Sequence, residues 1–393
     1  MNKLGKKYQT KGSTRPMLIL ATGLIFSFSS ASAEEGNTSW KDTLKSAGKV
    51  YSSDSNPVIQ EVKLFGRAHA QWNYSDGDSA GEDFSGSGEE LRRLRAGASI
   101  KFLNGFKALG RLNLEEGGFG DTQLGYESFD ELYLEYGKKA LFGFDRASIG
   151  YGRYKLLFGG EEHQSSKKIK TVERSGLNNH FGSARPTGLV LNAEKNNIKY
   201  IAGVYSTEAD DKAWANWNGG MAFQGSVEFD AFKGSVIADF VYADDSDNDR
   251  SVFDYDWASS VTYNRAFGDL NVMTNLTYAE TGKENIYGFV IVPSMFLIEN
   301  KLEAAFRYQW GHSTVDGQVP KSSSSRGIRR VASNDGVGTG SGDNNHTLYA
   351  GLNYYIAGDH AKIMTGIEYE KIDGNLGRDL DGVTFWTAFR IYF

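Results

Sequence analysis

The 393-residue chain has 43 basic and 49 acidic residues, a formal charge of −6, and no cysteine. An acidic balance argues against nucleic acid as a partner, and the missing cysteines exclude disulfides, thiolate catalysis and Cys-based metal sites. The length admits two or three soluble domains or one large β domain, and 47 Gly, 24 Phe and 21 Tyr beside 5 Pro suit strands and tight turns better than helices.

The N-terminus opens with Lys3, Lys6, Lys7, Lys11 and Arg15 and no acid, followed by the apolar run MLILATGLIFSF (17–28) and the small residues Ala31-Ser32-Ala33. This order predicts a secretory signal peptide over 1–33, too short for a spanning helix. Removing its five basic residues from the 43 leaves 38 against 49 acids, or −11. No later window of about twenty apolar residues predicts a transmembrane helix. Residues 34–60 are polar and read as a periplasmic segment. A short amphipathic helix is expected within 38–51, with Trp40, Leu44, Ala47 and Tyr51 on one side.

From Glu61 the pattern changes. Val62, Leu64, Gly66, Ala68, Ala70, Trp72 and Tyr74 alternate with Lys63, Arg67, His69, Gln71 and Asn73, with Phe65 the exception on the polar side. This two-residue period marks a strand with one apolar and one polar face. Similar segments recur, and sixteen strands are expected: 61–74, 89–103, 105–116, 129–137, 144–154, 186–194, 197–206, 219–229, 233–243, 256–266, 268–280, 285–296, 300–312, 345–357, 360–371 and 382–393. Their connections alternate. Mostly long ones at 75–88, 117–128, 155–185, 207–218, 244–255, 281–284, 313–344 and 372–381 interleave with tight turns. Charges recur mid-strand on one face, as at Arg93, Arg95 and Lys101 or Lys107, Arg111 and Glu115. Apolar-out and polar-in, with turns at one rim and loops at the other, is the pattern of an outer-membrane barrel. The fold expected is all-β: a transmembrane up-and-down antiparallel barrel of about sixteen strands over 61–393. The last strand, GVTFWTAFRIYF, sets Phe385, Thr387, Phe389, Ile391 and Phe393 against Trp386, Ala388, Arg390 and Tyr392 and ends in an aromatic, as bacterial outer-membrane proteins do.

A lumen of this width holds water, so function resides in what narrows it. The loop 313–344 is Ser- and Gly-rich and reads as a mobile external loop with a weaker basic cluster at Arg326, Arg329 and Arg330. The loop 155–185 contains SSKKIKTVERS and has Ile169, Val172, Leu177 and Phe181 to pack against something. Folding inward would bury those groups and bring its lysines to the pore.

Several of these strings resemble the phosphate-selective porin O and P family. They are NPVIQEVKLFGRAHAQW with Gly66-Arg67, EELRRLRAGASIKF, GFKALGRLNLEE, FDELYLEYG and, most specifically, GGEEHQSSKKIKTVERSGLNNHF. The resemblance spans 57–393 and is densest over 57–206. It implies a sixteen-stranded barrel, usually a homotrimer, whose third external loop bends into the pore. It also implies that Arg67, Arg92, Arg93, Lys167 and Arg174 belong to an anion pathway. Arg95, Arg111 and Lys168 join that set by parity or proximity. Arg92 has lipid-facing parity but lies near the external end of its strand, where it can turn to the mouth. Guanidinium and ammonium groups attract oxyanions, and Arg or Lys rings suit anion pores. For each arginine the alternative is a lumen ion pair, with Glu89, Glu90, Glu115 or Asp130 as candidate partners.

The loop 244–255, DDSDNDRSVFDY, has five Asp and one Arg, whereas the resemblance implies basic external loops. This departure puts phosphate selectivity in question. Such acids read as a solvated rim, or as sites for divalent cations or lipopolysaccharide. The six His lack metal-site spacing, so no metal, cofactor or catalytic site is expected. Asp359-His360 is the nearest approach to a barrel hydrolase. The function expected is passive diffusion of small anionic or neutral solutes, anion-preferring, through an outer-membrane channel surrounded by lipid and lipopolysaccharide. A non-selective porin and a plugged structural or adhesive barrel are the alternatives.

Overall fold

The computed structural model describes residues 40–116, 123–182, 184–209, 216–244, 249–322 and 326–393. The expected signal peptide at 1–33 lies outside these residues. Helix α1 (Trp40–Ser46) buries none of its residues. It ends before the length expected, because β1 (Lys49–Ser52) pairs with the start of the first long strand and takes Tyr51 into a strand.

Sixteen long strands follow: β2 (Ile59–Ser79), β3 (Glu82–Phe102), β4 (Phe106–Glu116), β5 (Gln123–Lys139), β6 (Arg146–Arg153), β7 (Thr187–Lys195), β8 (Ile198–Glu208), β9 (Asn218–Ala231), β10 (Gly234–Ala243), β11 (Trp257–Phe267), β12 (Leu270–Glu280), β13 (Asn285–Ile298), β14 (Leu302–Ser313), β15 (Asn344–Tyr355), β16 (Ala361–Asp373) and β17 (Leu380–Tyr392). Each pairs antiparallel with the next, and β17 pairs with β2 from Leu380↔Ser79 to Tyr392↔Arg67. Closure leaves no strand edge, which a spanning sheet requires because lipid offers backbone groups no hydrogen bonds.

The alternation places the faces as expected. Along β2, Leu64, Trp72 and Tyr74 are exposed outward, whereas Arg67, His69, Gln71 and Asn73 are buried within the barrel. Phe65 breaks the pattern for a local reason. It pairs with Gly97, and its ring occupies the space where a Cβ at Gly97 would lie. Tyr205 covers Gly188 and Gly203 in the same way, and Tyr349 covers Gly351 and Gly366.

Two connections differ from expectation. Residues 75–88 are not a loop: β2 and β3 run on to a two-residue turn at Ala80-Gly81, with φ of 57° and 84°, the left-handed pair that hairpins favour. The Gly, Ser and Asp of this stretch hide a strand pattern that packing reveals. Within 313–344, helix α4 (Gly327–Asp335) places Ile328, Val331 and Ala332 against Phe84, Val319, Ile372 and Leu380. Arg326 pairs with Glu90 at 3.1 Å, and Arg329 donates to the Thr339 carbonyl at 2.8 Å. The loop read as mobile is docked on the hairpin: Arg326 ties it to β3, and Arg329 braces the loop from within. The acidic loop 244–255 also turns inward at its end, with Phe253 and Tyr255 buried.

The terminal Phe393 exchanges backbone hydrogen bonds with Gly66, at 3.2 and 3.3 Å, and its ring lies where a side chain at Gly66 would point. Gly66→Val therefore has to displace the ring. Such overpacking costs about 1–3 kcal/mol, so the variant barrel should lose its compact gel mobility at a lower temperature than the wild type.

Candidate pore constriction

The connection 155–185 contains two short helices, α2 (Gly160–His163) and α3 (Gly176–Gly182). Its apolar residues decide where it goes. Leu156, Phe158, Leu177 and Phe181 join lumen-side residues that include Tyr205, Val241, Met273, Val290 and Val292. Val172 instead packs with Tyr349, Met364, Trp386 and Ala388. The loop thus touches two separated parts of the wall. A loop confined to the rim could not make both contacts.

Polar rivets fix its path. Lys170 pairs with Glu303 at 2.5 Å, Asn353 donates to the Lys170 carbonyl at 2.9 Å, and Lys362 donates to the Ile169 carbonyl at 3.1 Å. Arg307 donates to the Glu173 carbonyl at 2.6 Å and to Thr171 Oγ1 at 3.2 Å. Arg174 is a clamp within the loop: it donates to the carbonyls of Glu161 and Gln164 at 3.0 and 2.9 Å and pairs with Glu162 at 3.2 Å. Burial works to raise the Glu162 carboxyl, but Lys155 and Arg174 outweigh it and hold it below its usual range. Lys155 is pushed down to about 7, chiefly by burial, against the pull of Glu162.

The wall facing this loop carries a row of basic residues. Register places Arg390 of β17 opposite His69 of β2, and His69 opposite Arg93 of β3. Adjacent strands lie about 4.8 Å apart, and like charges set side by side repel. The next row sets Tyr392 opposite Arg67, and Arg67 opposite Arg95. The loop covers both rows. Arg67 donates to Ser166 Oγ at 2.7 Å, Arg390 to the Ser166 carbonyl at 3.0 Å and also to that of Val172. The Lys167 ammonium lies 4.1 Å from the Tyr392 ring centroid. Among the described residues, Arg67, Arg93, Arg390 and Lys167 form no ion pair with a carboxylate, and Arg93 Nη1 and both ring nitrogens of His69 are buried without a hydrogen-bond partner.

The other expected site residues fall elsewhere. The β2–β3 register skips one residue between His69↔Arg93 and Ala70↔Leu91. This bulge overturns the lipid-facing parity expected of Arg92, because a bulge re-aims one side chain. Arg92 instead pairs with Glu173 of the loop at 2.7 Å. Burial alone would raise the Glu173 carboxyl, but Arg92, Arg326 and Arg93 hold it well below the usual range. Arg95 pairs with Asp130 at 3.0 Å, Arg185 pairs with the same carboxylate at 3.3 Å, and Arg111 pairs with Asp130 and Glu131. Lys168 is exposed, in a backbone turn closed on Ser165. Arg67, Arg93 and Lys167 therefore share the basic wall with Arg95 beside them. Arg92, Arg111 and Arg174 are neutralised by acids.

Sequence reasoning missed Arg390 and His69. Both lie on the polar faces read from the alternation; the β2–β3 pairing sets His69 opposite Arg93, and only the closing register brings Arg390 to the other side of His69. Asp359-His360 forms no nucleophile site: Asp359 pairs with Lys362 at 3.4 Å, and His360 Nδ1 lies 3.2 Å from the Tyr392 carbonyl oxygen.

The family model described as phosphate-selective porin O and P matches residues 62–248, which include most of β2, all of β3 and the loop 155–185 but not β17. A search of curated proteins found no match. Among solved structures, the anion-selective porin from Comamonas acidovorans is similar over 84% of this chain and 99% of its own, with a TM-score of 0.54 at 13% identity. The outer-membrane channel DcaP of Acinetobacter baumannii matches 87% of this chain and 99% of its own, with a TM-score of 0.53 at 14% identity. OmpT of Vibrio cholerae matches 87% and 100%, with a TM-score of 0.53 at 11% identity. At these identities the likeness is one of fold: a closed, porin-type barrel.

Two outcomes follow from the loop's chemistry. Lys167 is pushed down to about 8 by burial and then by Arg67 and Arg111. It carries its charge below that value and loses it above. Anion preference, read as a bilayer reversal potential, should therefore fall between pH 7 and 9, and Lys167→Arg should flatten the dependence. Arg174→Ala leaves Glu162 to Lys155 alone and frees the carbonyls of Glu161 and Gln164, a cost of about 1–3 kcal/mol for buried groups left without a partner. Its single-channel current should be noisier than that of the wild type, and the loop should be cut sooner by added protease.

Proposed function

We propose, from a chain whose residues 62–248 match the phosphate-selective porin O and P family, that this protein is an outer-membrane porin that lets small solutes diffuse passively and prefers anions. The observation that carries the preference is the basic wall of Arg67, Arg93, Arg390 and Lys167. Arg67 and Arg390 bond a hydroxyl and carbonyls of the loop, and among the described residues none of the four pairs with a carboxylate. A carbonyl satisfies a donor without cancelling its charge, so the wall remains positive where the passage narrows. Arg67, Arg93 and Arg390 are buried, so they attract oxyanions through their field and leave direct contact to the partly exposed Lys167, and weak binding permits both entry and release. Phosphate-like oxyanions suit these groups, although the five aspartates of 244–255 are not the basic approach that phosphate selectivity implies. The protein acts as a channel without catalytic activity. The same reading includes export through the leader at 1–33, a homotrimeric assembly and an outer face in contact with lipid and lipopolysaccharide.

The test is the reversal potential of the reconstituted protein in a salt gradient. Wild type should favour anions, and Arg93→Glu or Lys167→Glu should reduce or invert that preference while the channel still conducts. A cation-selective wild type would remove the anion claim and leave the pore. A barrel that neither conducts nor lets liposomes swell would be a plugged one.

A further inference from the structure

One cavity lies away from the basic wall. It is a chamber of about 400 Å³ between the loop 155–185 and the wall of β11, β12 and β13, toward the turn end of the barrel. The space between this loop and the docked loop 313–344, near Arg307 and Arg326, is only about 20 Å³. Of these two spaces, the chamber is the one with room for a solute larger than water.

Its lining differs in kind from the arginine rows. Asn264, Asn271 and Ser294 line it and make no side-chain hydrogen bond to any described residue. Met273, Val292 and Ile169 contribute apolar surface, and Gln164 reaches Met273 Sδ at 3.6 Å. Of the three charged residues in its lining, Lys170 and Glu161 have partners of opposite charge and Arg265 stacks on a ring. Lys170 is paired with Glu303, and the Glu161 carboxylate accepts from the Ser175 backbone and hydroxyl with Arg307 at 3.7 Å. The Arg265 guanidinium lies over the Phe267 ring, 4.3 Å from its centroid, and shares the outward parity of exposed Val261. Two free carboxamides and a hydroxyl can donate and accept hydrogen bonds but read no charge. A volume in the range of about 300–1,000 Å³ with a few open polar groups on an apolar lining is the usual make-up of a small-molecule site.

We infer that this chamber is a binding subsite for small uncharged solutes that carry hydroxyl or amide groups beside an apolar face. Such solutes follow the wall of β11–β13, while anions are drawn to the basic rows. The inference rests on the channel reading, because a sealed barrel would give solutes no access.

The test uses the full mature protein in liposomes, with swelling in arabinose and ion current in planar bilayers as separate readouts. Ser294→Trp should fill the chamber and slow swelling severalfold. Asn271→Leu, at a more exposed position, should also slow it, and serves if the tryptophan variant does not reach the compact barrel form on a gel. Swelling at the wild-type rate in an assembled variant overturns the inference and leaves the channel standing. A wild type that conducts anions but does not swell in arabinose also overturns it alone. A wild type that does neither overturns the channel reading as well.

Discussion

The pairing of the last strand with the first is the constraint on which the constriction depends. In lipid no backbone donor can be left open, so β17 must meet β2. The register of that meeting decides which side chains become neighbours. It sets Arg390 beside His69 and thus beside Arg93, residues more than three hundred positions apart in sequence at their ends. Phe393 fits over Gly66 at the end of the same seam. The basic row is in this sense a product of closure, and a slip of one residue would turn Arg390 toward lipid.

Such a row is costly alone, because like charges lie side by side under cover. The loop 155–185 answers it in two ways. Its backbone offers the carbonyls of Ser166 and Val172 to Arg390, which satisfies donors and preserves charge. Its acids go elsewhere: Glu173 to Arg92, and Glu161 and Glu162 to the loop's own folding. The distinction between a carbonyl and a carboxylate as partner separates the charged wall from the neutralised residues around it. Asp130 shows the contrast, since one carboxylate there gathers Arg95, Arg111 and Arg185.

The lumen consequently has two unlike sides. One is a cationic wall on β17, β2 and β3 covered by the loop, and the other is an open chamber on β11–β13 where Lys170 and Glu161 face opposite charges and Arg265 lies over the Phe267 ring. The docked helix of 313–344 narrows the opposite side of the same loop. Anion preference and passage of neutral solutes are then compatible in one barrel, because they draw on different surfaces.

Sixteen strands, their inward and outward faces and the alternation of short and long connections were legible in the sequence, because a membrane barrel repeats one two-residue rule along every strand. Ile169, Val172, Leu177 and Phe181 likewise announced a loop that packs, since apolar groups in a polar connection need a surface. The extended hairpin at 75–88 was not legible, because its Gly, Ser and Asp hold a strand only through pairing and the docked helix. The turn of Arg92 away from its lipid-facing parity was expected from its place near the strand end, but the bulge that makes it is a property of two strands and cannot be read from one. The sequence by itself determined which residues are polar, apolar or basic, and so the barrel. Tertiary structure alone decided which cations stand unpaired, because ion pairing depends on distances between strands and loops that chain order does not specify.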